Sequence, residues 1–238
     1  MPSLKRPRRP WPGHLRRIAA RALAGLLAAT ALAGCSVLHA ATREQDRSLA
    51  AVAPGTWRID PSHCSVVFSV DHLGFSRFIM RFDRVAGTLH WPARGVAGAS
   101  IHAWVATASV DTNDPQLDAE LRSPAMLDAA RHRYIEFQGS GWRATGPARG
   151  DLEGVLRLGK ASEPVVLHLR FHGYGVDPVT GQPTLGFSAR AAFSRAGLGL
   201  RAWPGFVGDT VRLHVEAEFI PAAPPACAGP RGCLHHGT

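Results

Sequence analysis

Apolar and polar residues alternate along most of the chain between residues 57 and 219. The segments FIMRFD (78–83), VVLHLRFH (165–172) and VRLHVEAEF (211–219) show the alternation most clearly. A period of two residues is typical of a β-strand that buries one face. Weaker segments of the same kind predict further strands at 57–60, 65–71, 86–91, 100–110, 134–142, 151–159 and 185–193.

The segment DPQLDAELRSPAMLDAAR (114–131) interrupts this alternation and predicts a short helical insertion. Asn113 or Asp114 can cap its N-terminus, because Pro115 suits the first helical position. Ser123-Pro124 predicts the start of a second short turn.

Eight to ten short strands separated by Gly, Pro and Asp turns predict an all-β domain over residues 56–221, either a barrel or a sandwich. Closure into an antiparallel eight-stranded barrel is favoured, because it leaves no exposed strand edges. A barrel of this size has an interior that is either filled by side chains or open for one apolar ligand, and the sequence leaves both open.

The N-terminus predicts an export signal over residues 1–34, with seven basic residues and an apolar run over 22–33. Leu32-Ala33-Gly34-Cys35 resembles a lipoprotein cleavage site, which implies acylation of Cys35, palmitate included, and Ser36 favours the outer membrane. An ordinary secretory peptide cleaved near Ala40 is the alternative, and a twin-arginine route is less favoured. The expectation is a periplasmic protein held to the membrane by its lipid, with a linker over 35–55.

The formal charge of +9 does not indicate a nucleic-acid partner. From Cys35 onward the chain has 20 Lys and Arg against 18 Asp and Glu, so most of the excess lies in the leader. The Pro- and Gly-rich segment 222–238 predicts a flexible tail. A Cys227–Cys233 disulfide is expected there, with a Cys/His metal site using His235 and His236 as the alternative.

The segment IDPSHCSVVFSVDHLGF (59–75) carries two histidines and a cysteine close together. In a strand His63 and Cys64 point to opposite faces, and His63 and His72 lie roughly 30 Å apart, so they cannot share a metal ion. The remaining strand histidines alternate with apolar residues and are expected to face solvent: His90, His102, His168, His172 and His214. No catalytic residue, metal or cofactor is predicted.

Residues 56–91 resemble the opening of the YceI-like family of bacterial periplasmic polyisoprenoid-binding proteins. Their sequence is TWRIDPSHCSVVFSVDHLGFSRFIMRFDRVAGTLHW. Three later regions resemble that family and follow in the order that is usual for it. The first is SVDTNDPQLDAELRSPAMLDAARHRYIEF, the second is LGKASEPVVLHL, and the third combines FSRAGLGL with VGDTVRLHVEAEF. Cys64 stands where a serine is usual, residues 194–199 depart from the usual Asn-Arg-x-x-Phe-Gly, and residues 143–151 replace a lysine-rich hairpin.

The resemblance implies a lipocalin-like barrel that carries or sequesters a long-chain apolar lipid, such as a polyisoprenoid, a quinone or a fatty-acid-like molecule, without catalysis. The alternatives are a histidine- and cysteine-dependent enzyme or metal- or haem-linked stress protein, and a structural scaffold. A homodimer is kept open. The insertion is expected to act as a lid, and His72, Arg77 or Arg122 to meet a head group. The residues expected to bind the lipid are Phe68, Val70, His72, Phe75, Phe78, Met80, Phe82, Trp104, Leu117, Leu121, Met126, Phe137, Phe187 and Phe193.

Overall fold

Eight of ten antiparallel strands pair side by side into a closed barrel in the computed structural model, which describes residues 45–222. The one α-helix of these residues, α1, spans Pro115–Arg122. The strands are β1 (Gly55–His72), β2 (Ser76–Phe82), β3 (Val85–Trp91), β4 (Ser100–Ala106), β5 (Val110–Asp111), β6 (Tyr134–Gly146), β7 (Arg149–Leu158), β8 (Ala161–Val176), β9 (Pro183–Ser194) and β10 (Thr210–Pro221).

The barrel closes because β1 pairs along both of its edges. One edge pairs with β10, and the other pairs first with β3 and then with β2. The closed order is β1-β3-β4-β6-β7-β8-β9-β10, while β2 and β5 form a short extension beside β1. The predicted all-β, eight-stranded barrel with a helical insertion is confirmed.

Strand β1 joins two segments that the sequence analysis predicted as separate strands, 57–60 and 65–71. Its register against β10 slips between Ile59 and Cys64, which pair with Phe219 and Ala217. The extra residues form a bulge in which an Asp60 carboxylate oxygen accepts the Ser62 N–H at 3.0 Å. The bulge restores the alternation, so that Ile59 and Cys64 both contact the interior.

Helix α1 is shorter than the predicted helical segment, which extended to Arg131. The Asp114 side chain accepts the N–H groups of Gln116 and Leu117, and Pro115 occupies the first position. The helix ends at Ser123 because the residue before a proline disfavours helical geometry. Residues 124–131 continue as turns.

Two buried apolar clusters occupy the two ends of the barrel. The helix end is where β1 ends at His72 and β10 begins at Thr210, and its cluster includes Leu121 and Leu127 of the insertion. The base is where β1 begins and β10 ends, and its cluster is rich in aromatic residues: Trp57, Trp91, Phe171 and Phe219. Cys64 contacts both clusters.

Part of the predicted linker 35–55 packs on the barrel base. Asp46 and Tyr174 exchange two backbone hydrogen bonds of 2.9 and 2.8 Å, and Val52 is buried in the base cluster. Residues 45–54 therefore contribute to the base of the barrel. The predicted signal peptide, the Cys35 lipidation site, the Cys227–Cys233 pair and the His235/His236 alternative lie outside the described residues.

Candidate functional site

The barrel encloses a cavity of about 700 Å³ between the two clusters. Its wall consists of the inward-facing residues of the strands, closed at the helix end by α1 and by the loop between β9 and β10. This volume falls within the range of roughly 300–1,000 Å³ that is typical of small-molecule sites. Of the two interiors that the sequence allowed, the structure has the open one.

Thirteen of the fourteen residues predicted to bind a lipid line this cavity: Phe68, Val70, His72, Phe78, Met80, Phe82, Trp104, Leu117, Leu121, Met126, Phe137, Phe187 and Phe193. Phe68 and Phe82 stack with ring centroids 5.0 Å apart. Trp104 also packs on the His102 ring, with the two ring centroids 5.2 Å apart.

Phe75 is the exception: it was expected to face the interior, but in the structure it does not line the cavity. It lies in the turn between β1 and β2, where its N–H bonds the His72 carbonyl oxygen, and its side chain is 89 % exposed. The strand alternation on which the prediction rested ends at His72, because the chain reverses there.

The loop between β9 and β10 supplies lining residues that the sequence analysis did not identify: Arg195, Leu198, Leu200, Trp203, Phe206 and Val207. This loop has no regular period, so alternation could not assign its side chains to a face. The only signal was the departure from the family pattern at residues 194–199. Inward aliphatic residues of regular strands, such as Leu167 and Leu169, could have been found from the alternation.

The wall carries few polar side chains, namely Cys64, His72, Ser100 and Arg195. Burial raises the pKa of the Cys64 thiol to about 11, with a smaller contribution from the nearby Asp60 carboxylate. The thiol is therefore neutral at physiological pH and contacts the cavity as a small apolar group.

Arg195 is a buried cation at the helix end, and its guanidinium organises the loop between β9 and β10. It donates to four backbone carbonyl oxygens, those of Leu200 and Ala202 at 2.8 Å, Val207 at 3.0 Å and Gly208 at 3.1 Å. Four carbonyls satisfy the charge without a carboxylate in contact. The guanidinium therefore fixes the loop that closes one end of the cavity.

His72 and Phe206 lie where the cavity wall reaches the protein surface at the helix end. Both residues line the cavity and are also exposed, and Ser100 near the base is the third exposed lining residue. A backbone bridge between His72 and Val207 ties the end of β1 to the β9–β10 loop.

The insertion covers the helix end through Leu117, Leu121, Met126 and Leu127, all of which line the cavity. The two arginines that were expected at the mouth do not line it. Arg77 pairs with Asp71 at 3.7 Å, and Arg122 donates to the Ala108 carbonyl oxygen at 3.4 Å.

Other polar groups lie on the outside of the barrel. His63 bonds the Asp60 carboxylate at 2.9 Å; this bond raises the pKa of His63 and lowers the pKa of Asp60. Within residues 45–222, no group of three or more His, Cys, Asp and Glu side chains is arranged to hold a metal ion. Among the same residues, none of the helices combines the length and apolar character needed to cross a bilayer.

Residues 57–219 match the family profile described as the YceI-like domain. A UPF0312 protein of Azotobacter vinelandii is 30% identical over 158 residues, which cover 66% of this chain and 82% of that protein. A UPF0312 protein of Pseudomonas savastanoi is 29% identical over 188 residues, covering 73% of this chain and 97% of that protein.

Two solved structures share the fold at low identity. BcnA of Burkholderia cenocepacia gives a TM-score of 0.59 at 17% identity, covering 67% of this chain and 98% of that one. A polyisoprenoid-binding domain from Saccharophagus degradans, implicated in plant cell wall breakdown, gives 0.56 at 13% identity, covering 71% of this chain and all of that one.

Proposed function

The chain belongs to the YceI-like family, and from that premise we propose that it binds a long-chain apolar lipid without catalysing a reaction, so as to carry or sequester it. The cavity of about 700 Å³, with its almost wholly apolar wall inside a closed barrel, is the observation that carries this proposal. An alkyl or prenyl tail gains roughly 0.8 kcal/mol for each buried CH₂, so affinity needs apolar surface more than polar contacts.

An isoprenoid is the favoured ligand class, with a quinone or a fatty-acid-like molecule as the nearest alternatives. The fold shared with the polyisoprenoid-binding domain from Saccharophagus degradans supports this choice. The wall also suits it, because aromatic and branched aliphatic side chains pack well against a methyl-branched chain.

The polar groups of the wall are poorly suited to catalysis. A cysteine nucleophile acts as a thiolate, whereas burial raises the pKa of Cys64 to about 11, so the thiol is neutral at physiological pH. The Arg195 guanidinium is engaged by four carbonyl oxygens. Nothing in residues 45–222 favours the alternative of a histidine- and cysteine-dependent enzyme or a metal- or haem-linked protein.

Native mass spectrometry of the purified full chain, followed by solvent extraction, tests the proposal. The expected result is an added mass that is lost on denaturation and recovered in the extract as an isoprenoid or similar amphiphile. A covalently attached acyl chain would survive denaturation, which separates it from the cavity ligand. Recovery of the bare polypeptide from several preparations, together with failure to take up added isoprenol, would overturn the proposal.

We also propose that the protein works in the periplasm, anchored to the outer membrane by acylation of Cys35. The basic leader, the apolar run over 22–33 and the Leu32-Ala33-Gly34-Cys35 sequence support this placement. Metabolic labelling with a palmitate analogue tests it. The wild type is expected to incorporate the label and Cys35→Ser to lose it, and equal labelling of both would contradict acylation at Cys35.

A further inference from the structure

Three large apolar side chains are exposed together at the helix end: Leu73, Phe75 and Phe206, which we call the lip. Their exposed fractions are 45 %, 89 % and 61 %. They lie on two neighbouring loops, because the Leu73 N–H donates to the Phe206 carbonyl oxygen at 2.9 Å. Clustered exposed apolar residues on a monomer usually mark a contact site.

The backbone at Leu73 indicates that its side chain has a use. Leu73 has a φ of +52°, in the left-handed region that asparagine or glycine adopts at lower cost. The side chain is nearly half exposed, so burial offsets only part of the cost of this conformation. A strained, exposed leucine beside an exposed phenylalanine is better explained by contact with an apolar partner.

The lip adjoins the cavity wall. Phe206 belongs both to the lip and to the cavity wall, and His72, which precedes Leu73, also lines the cavity. A lipid that enters or leaves beside these residues therefore passes over the lip.

Arginine and aspartate side chains lie beside the lip. Asp71 is shared by Arg77 at 3.7 Å and Arg212 at 3.0 Å. On the other loop, Arg195 and Arg201 accompany Asp209, whose pKa is lowered by a hydrogen bond from Ser194 and by those two arginines. Because the Arg195 guanidinium is buried against four carbonyl oxygens, three surface arginines remain against two carboxylates, and this positive excess of one favours an anionic surface.

We propose that the lip docks the helix end on the surface of an anionic lipid bilayer, so that the ligand moves between bilayer and cavity without crossing water. This inference rests on the proposed function. The lip consists of three side chains at two loop tips, whereas a stable protein interface uses about 800 Å² on each partner. Apolar side chains flanked by cations are the combination that binds membrane interfaces.

The test compares two double variants with the wild type, all in full chains that carry Cys35→Ser, so that no acyl anchor contributes. The lip variant is Leu73→Asn with Phe75→Ser; neither residue lines the cavity, and asparagine suits the left-handed backbone. The control is Val176→Ser with Val179→Ser at the base, whose exposed fractions of 47 % and 91 % match those of Leu73 and Phe75.

The measurements are the rate of uptake of fluorescent geranylgeraniol from phosphatidylethanolamine–phosphatidylglycerol vesicles, and the equilibrium affinity for the same probe in detergent solution. The lip variant is expected to take up the probe about tenfold more slowly, because two apolar contacts with the bilayer are lost. The control should stay within about twofold of the wild type, as for exposed sites outside the contact. Affinity in detergent is expected to be unchanged in both variants.

Equal uptake by the lip variant and the wild type would overturn the docking inference and leave the proposed function standing. Equal slowing of the lip and control variants would overturn it as well, because the effect would not be local to the lip. A wild type that binds no probe in vesicles or in detergent would overturn the proposed function itself.

Discussion

The two ends of the barrel differ in whether their large apolar side chains are buried or exposed. At the base the apolar side chains are tightly packed: Phe171 is 1 % exposed and its ring centroid lies 5.1 Å from that of Phe187. Residues 45–54 pack over this end of the barrel. The helix end is covered by a short helix and one loop, and Phe75 beside them is 89 % exposed. Apolar residues thus stabilise the fold at one end and are left available for contact at the other.

Truncation of one phenylalanine at each end should give the largest difference between them. Phe171→Ala removes a fully buried ring and is expected to lower the free energy of unfolding by about 3–5 kcal/mol. Phe75→Ala should change it by no more than about 0.5 kcal/mol, because the ring has few protein contacts. Chemical denaturation measures both, and similar values for the two variants would contradict the distinction between the ends.

The loop at the helix end should depend on a single buried cation. Arg195→Met leaves four carbonyl oxygens without their donor and is expected to cost about 2–4 kcal/mol of unfolding free energy. Arg190 on β9 is exposed, so Arg190→Met serves as the control and should cost no more than about 0.5 kcal/mol. If the two changes cost the same, the loop is not held by the guanidinium.

Filling the cavity should abolish ligand binding without unfolding the barrel. Ala189 faces the cavity from β9, and Ala189→Trp is expected to weaken isoprenol binding at least about 100-fold, or about 2.7 kcal/mol. Ala192 on the same strand is exposed, so Ala192→Trp is the matched control and should bind normally. Circular dichroism confirms folding; a folded Ala189→Trp protein with wild-type affinity would place the ligand elsewhere.

The smallest effect is expected at Cys64, where the two apolar clusters meet. Its pKa is raised to about 11 in the folded protein, whereas the unfolded thiol titrates near the ordinary value of 9.0. The stabilisation from the neutral thiol is therefore complete below pH 9 and is lost as pH rises toward 11. Because the thiol is partly exposed, we expect a loss of about 1–2 kcal/mol relative to Cys64→Ala over that interval.

Unfolding curves of the wild type and Cys64→Ala at pH 8 and at pH 11 measure this difference directly. All other groups are the same in the two proteins, so their contribution to the pH dependence cancels. Parallel loss of stability in the two proteins would show that the thiol is not desolvated in the folded state.

The barrel could be predicted from the sequence because its strands carry a regular signal. From Val165 to Phe171 in β8 and from Val211 to Phe219 in β10, every second residue is apolar, and those residues line the cavity or pack at its ends. The end of α1 at Arg122 agrees with the second turn that was predicted to start at Ser123-Pro124.

The rest of the site depends on features that the two-residue alternation of apolar and polar residues does not reveal. The bulge between Ile59 and Cys64 changes which residues face inward, and the β9–β10 loop is held by hydrogen bonds from Arg195 to carbonyls that every residue type possesses. Whether inward side chains fill the barrel depends on strand tilt and stagger, which the alternation does not encode.

Photo-crosslinking with an isoprenol that carries a diazirine at its tail tests most directly whether the apolar chain lies inside the barrel. Peptide mapping is expected to place the crosslinks on inward-facing residues such as Phe137, Leu152 and Phe193, and Ala189→Trp should abolish them. Crosslinks confined to outward residues such as Ala192, or unchanged in Ala189→Trp, would contradict a ligand inside the cavity.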